Sequence, residues 1–128
     1  MGNEQRRVLI VHGYSDLRRS LSLFLYQHGY EDEAVGDGSE AIKIIASNDI
    51  RAIITGTGYP HVDEFADYLS RTKSERPVII ASSWPRTHQY VSEAMKKFGT
   101  TNFIPVESLS DQEAVIVTAL NMICPTQP

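Results

Sequence analysis

The chain has 128 residues, of which 41% are hydrophobic and 22% charged, and carries a net charge of −4. That length suits one domain of ordinary globular composition, and the acidic balance without a basic stripe argues against direct nucleic-acid binding. One cysteine, Cys124, cannot form an internal disulfide. No apolar run reaches the ~20 residues of a membrane span, and residues 1–7 do not read as a secretory signal, so a cytoplasmic protein is expected.

Val8, Leu9, Ile10 and Val11 form a short apolar run that stops before Gly13, as a strand buried on both faces does. Ser15 can cap the next segment, where Leu17, Leu21, Phe24, Leu25 and His28 recur at helical spacing. Gly29 then stands where a helix ends on a left-handed residue. Residues 30–35 read as a weaker strand, because Glu31, Asp32 and Glu33 are poor strand formers that an edge position tolerates. Gly36, Asp37 and Gly38 turn the chain, and Ser39 opens a helix carrying Ala41, Ile42 and Ile45. Residues 52–55 are a third strand, followed by a loop with Pro60 and a helix with Phe65 and Leu69. Val78, Ile79, Ile80 and Ala81 make a fourth; Val91, Ala94, Met95 and Phe98 mark the helix after it, ended by Gly99. Asn102, Phe103 and Ile104 make a fifth strand, and Ser110 with Glu113 forms a capping box for a last helix through Ile123. This alternation predicts a single doubly wound α/β domain over residues 6–123, built on a parallel five-stranded sheet with right-handed crossovers. Residues 1–5 and 124–128 read as polar tails or linker.

In the order and spacing of its landmarks the chain resembles the receiver domain of two-component response regulators. The landmarks are Val8 to Val11, then Asp16, Leu17 and Arg18 at the first helix, Gly29 and Tyr30, and Gly38 through Ala41. Pro60 with Asp63, Pro77 before the fourth strand, and Gly99 through Ile104 complete them. The resemblance implies a flavodoxin-like, CheY-like fold of strand order 2-1-3-4-5, with its crevice at the carboxyl ends of the strands. It implies a signalling module with a protein partner, not an enzyme.

The family's chemistry uses two acidic residues after the first strand, which bind Mg²⁺ together with a phosphoacceptor aspartate after the third. A Ser or Thr after the fourth strand and a Lys after the fifth hold the phosphoryl oxygens. Hard oxygens suit Mg²⁺, and positive charge suits the moving phosphoryl group. Here the acidic pair falls on His12 and Gly13, the acceptor on Gly56 and the lysine on Val106. The hydroxyl survives as Ser82 and the switch-type aromatic as Phe103. Shifting the alignment by one residue restores nothing: no carboxylate lies between Arg51 and Asp63, and no lysine follows Lys97. The expectation is a pseudo-receiver without metal or cofactor, acting by protein contacts. Asp63 or Asp16 as a displaced acceptor is the competing possibility.

The strand ends should gather His12, Gly13, Tyr14, Thr57, Tyr59, Ser82 and Trp84 into a nearly neutral crevice. Either its aromatic residues Tyr14, Tyr59 and Trp84 anchor a peptide or small molecule, or they fill space left by a lost ion site. His12 has no second histidine at metal-ligand spacing, and Gly56-Thr57-Gly58 alone is too short a glycine pattern to define a phosphate loop. Residues 114–128 contain no charge. At helical spacing Ala114, Val115, Val117, Thr118, Asn121 and Met122 then form a small, neutral outer surface, expected to meet a partner or a second copy.

Overall fold

The computed structural model describes residues 7–105. The elements are β1 (Arg7–Val11), α1 (Ser15–Gln27), β2 (Glu31–Val35), α2 (Gly38–Ser47) and β3 (Ala52–Thr55). They continue with α3 (Val62–Arg71), β4 (Val78–Ser82), α4 (Gln89–Phe98) and β5 (Asn102–Pro105). All strand pairs are parallel, and the order is β2-β1-β3-β4-β5. The order and the alternation agree with the sequence reading.

Strand side chains alternate between the two sheet faces, and each face has its own core. On one, Val8, Ile10, Ala52, Ile54, Ile79 and Ala81 pack with Leu17, Leu21, Phe24 and Leu25 of α1. On the other, Leu9, Val11, Ile53 and Ile80 meet Ala41 and Ile45 of α2, Phe65 and Leu69 of α3, and Val91 and Ala94 of α4. β3 and β4 are buried along their whole length, which is why they are short uninterrupted apolar runs. β2, with its three acidic residues, lies at the sheet edge.

Two helix starts differ from expectation. Ser15 is the first helical residue of α1, and no side chain caps that end. In α2 the helix opens at Gly38, and Asp37 Oδ1 accepts the Ser39 N–H at 2.6 Å. Gly29 and Gly99 do take left-handed conformations (φ 83° and 64°) at the ends of α1 and α4. His61 is left-handed too, at φ 63° ahead of α3. The last helix, with Ala114, Val115, Val117, Thr118, Asn121 and Met122, lies outside the described residues, as do Val106 and Cys124. Among the described residues no helix is long and apolar enough to cross a membrane.

Candidate functional site

Because the strands are parallel, their carboxyl ends open on the same side. The register sets Val11 beside Thr55, and Thr55 beside Ile80. The residues that follow them therefore converge on a crevice of ≈620 Å³, lined by His12, Gly13, Tyr14, Gly56, Thr57, Gly58, Pro60, Ala81, Ser82, Ser83, Trp84 and Tyr90. No charged side chain is among these described residues, provided His12 is neutral.

His12 is held from several directions. Its N–H donates to the Val35 carbonyl at 3.1 Å, and its own carbonyl accepts Arg18 Nη1 at 2.6 Å. Nδ1 accepts the Tyr14 N–H at 3.2 Å, while the ring also hydrogen-bonds the Ala81 backbone. With Nδ1 accepting, the proton resides on Nε2. Burial pushes the imidazole pKa down and the Arg18 guanidinium adds to that, partly offset by the Ala81 hydrogen bond. The ring is therefore neutral near pH 7.

That ring lies against Gly56. A β-carbon built at position 56 would stand 2.7 Å from His12 Cδ2, 3.0 Å from Nε2 and 3.2 Å from Cγ. The imidazole thus occupies the space into which a side chain at position 56 would project. Gly13 is tight for another reason: its β-carbon would meet the Gly58 carbonyl at 3.3 Å and Tyr59 Cβ at 3.4 Å.

Ser82 is buried, and its Oγ accepts the Trp84 N–H at 3.0 Å, folding the start of the β4–α4 loop. Trp84 stacks on His88 and Tyr90, with ring centroids 3.9 and 4.9 Å away. His88 in turn caps α4, its Nδ1 accepting the Tyr90 N–H. Tyr14 is exposed at the rim. Phe103 is half-buried and packs against the second core.

Of the two roles open to the aromatics, Tyr59 does not take that of a crevice anchor. It is buried among Val11, Ile53 and Phe65, and its hydroxyl lies 2.7 Å from Thr55 Oγ1. Burial raises its pKa. Tyr90, which sequence reading left out of the site, takes a place on the wall instead. The signal was present: Tyr90 directly precedes Val91, the first apolar position of the predicted helix, so it belongs to that helix's opening turn.

Neither displaced acid lines the crevice. Asp63 pairs with Lys97 across the outer surface of α3 and α4. Asp16 is exposed in the first turn of α1, 3.8 Å from Arg19. Among the described residues no group of three His, Cys, Asp or Glu side chains is placed to share a metal ion.

The element order and parallel sheet define a doubly wound α/β fold of the flavodoxin-like kind, with the crevice at the carboxyl ends of its strands. No protein-family model matches the chain, and no curated protein sequence matches it. Solved structures do. The chemotaxis protein CheY4 of Vibrio cholerae superposes with a TM-score of 0.76 at 21% identity, covering 91% of this chain and 97% of that one. A two-component response regulator from Clostridium difficile gives 0.74 at 18% identity, over 91% and 95% of the two chains. The signal receiver domain of a signal transduction histidine kinase from Syntrophus aciditrophicus gives 0.75 at 19%, over 92% and 89%.

Proposed function

We propose that this protein is a receiver-type signalling module that works through protein contacts, without phosphorylation of an aspartate. The observation that carries this reading is the His12 imidazole packed over Gly56, in the space the resemblance assigns to an acceptor side chain. A neutral imidazole is a poor ligand for Mg²⁺, and the described lining supplies no carboxylate in its place. Ser82 Oγ accepts the Trp84 N–H, and among the described lining residues its hydroxyl has no lysine beside it to share a phosphoryl group's charge.

The test is incubation with acetyl phosphate and Mg²⁺, read by intact mass. No added phosphoryl group is expected. One phosphoryl group mapped to Asp16, Asp63 or another carboxylate overturns the reading. The partner is a protein, and the uncharged outer positions of residues 114–122 are the surface proposed for it. Sedimentation of the wild type against Val117→Lys with Ala114→Glu reads whether a second copy is that partner. Monomers in both cases exclude self-association there.

A further inference from the structure

The described lining of the crevice holds no carboxylate and no lysine for phosphoryl chemistry, yet the space has not closed. Its ≈620 Å³ lies within the usual range for a small-molecule pocket, and aromatic rings combined with a few hydrogen-bonding groups are the usual lining of one. Charge narrows the class of ligand. None of the described lining side chains offers a counter-charge to a carboxylate, a phosphate or an ammonium group.

The aromatic wall narrows it further. His88 and Tyr90 lie 3.9 and 4.9 Å from Trp84 but only 5.2 Å from each other. They are too close together to flank the indole on opposite sides. Trp84 itself is 40% exposed. The hydroxyls of Thr57 and Ser83 also line the crevice and make no hydrogen bond within the described residues. A flat ring stacked on the indole could offer its polar edge to them.

We propose that this crevice binds an uncharged, planar heteroaromatic molecule of nucleobase size, stacked on Trp84 on the side away from His88 and Tyr90. The proposal rests on the reading that the site performs no phosphoryl chemistry. The two fail separately, since that reading fails by a gain of mass and this one by an absence of binding.

Adenine, hypoxanthine and indole serve as neutral probes and inorganic phosphate as the charged one, followed by amide and indole N–H resonances of the whole chain. Trp84 is the only tryptophan, so its indole signal is unambiguous. At least one neutral probe should give saturable shifts at Trp84, Thr57 and Ser83. Trp84→Ala should weaken that binding by roughly tenfold or more, the usual scale of a lost base-stacking contact. Gly58→Leu should abolish it while leaving the fold intact, because a β-carbon at this lining position meets nothing within 4 Å. Leu23→Ala, on the outer side of α1, should leave it unchanged. The proposal is overturned if no neutral probe saturates up to about 5 mM, a concentration that detects even a millimolar site. It is equally overturned if Trp84→Ala binds as well as wild type, or if phosphate alone saturates.

Discussion

The imidazole of His12 and the α-carbon of Gly56 are in such close contact that even a methyl group at position 56 would fall 2.7 Å from the ring. The Tyr14 N–H donates to Nδ1 and holds the ring in this position. Gly56→Ala is therefore expected to cost about 1–3 kcal/mol, the scale of overpacking in a filled site. Urea melts of Gly56→Ala in wild-type and His12→Ala backgrounds measure this. A cost that persists undiminished without the ring would assign the strain to something else.

A second expectation concerns pH. The folded state holds the His12 pKa below its ordinary value, chiefly because the ring is buried, so the unfolded chain binds the proton more readily. The resulting stability is fully present above the unfolded pKa and is lost as pH falls through the folded one. His61 behaves oppositely: its hydrogen bond to Glu64 raises its pKa, so its contribution is present at low pH and lost as pH rises through the folded value. Histidine ring resonances titrated between pH 5 and 8, the window where imidazoles change charge, should show His12 below and His61 above the ordinary midpoint. A His12 midpoint at or above the ordinary value would remove the case for a neutral crevice.

Arg18 links that titration to backbone structure. Its Nη1 donates to the His12 carbonyl at 2.6 Å and fits against Gly36, where a β-carbon would stand 2.8 Å from the same nitrogen. Arg18→Gln should cost about 1–2 kcal/mol for the lost charge-assisted bond. It should also raise the His12 pKa, since the cation that depresses it is gone. Gly36→Ala should reproduce part of both effects by displacing the guanidinium. Destabilisation without movement of the His12 midpoint would disprove the electrostatic coupling.

Thr55 and Tyr59 form the buried polar pair behind the β3–α3 loop. Thr55 Oγ1 also reaches the Gly56 carbonyl at 3.1 Å, so it donates there and accepts from the Tyr59 hydroxyl at 2.7 Å. Tyr59→Phe should cost about 1 kcal/mol by leaving the threonine oxygen unmatched. Thr55→Val combined with Tyr59→Phe should cost less than the two singly added together, because both partners are then removed. Strict additivity in thermal melts would show that the hydroxyls do not interact.

The same pair marks where sequence reading reached its limit. Runs such as residues 8–11 and 78–81 are apolar throughout because both faces of their strands are covered, and this makes a parallel sheet legible from composition. The acidic residues 31–33 placed β2 at the edge for an equally physical reason. The converging glycines and His12 followed from the positions of the strand ends. What spacing could not reveal was the direction of individual side chains in loops. Tyr14 and Tyr59 are both loop aromatics, yet one is exposed at the rim and the other is buried. Packing in the second core and a hydrogen bond to Thr55, made where the chain has left the strand and not yet entered a helix, set Tyr59 apart. Tyr90 was missed similarly, its role arising from stacking on Trp84 across a loop.

The edge position of β2 also limits how the molecule can assemble. An exposed strand invites another to add to the sheet, and proteins resist this with charge. Glu31 pairs with Arg7 at 3.3 Å, and Asp32 receives the Ser22 hydroxyl at 2.8–2.9 Å, so these carboxylates are fastened at the border. Two copies meeting β2 to β2 would set carboxylate against carboxylate along the new seam. Sheet extension, the cheapest route to filaments, is thereby disfavoured on this side.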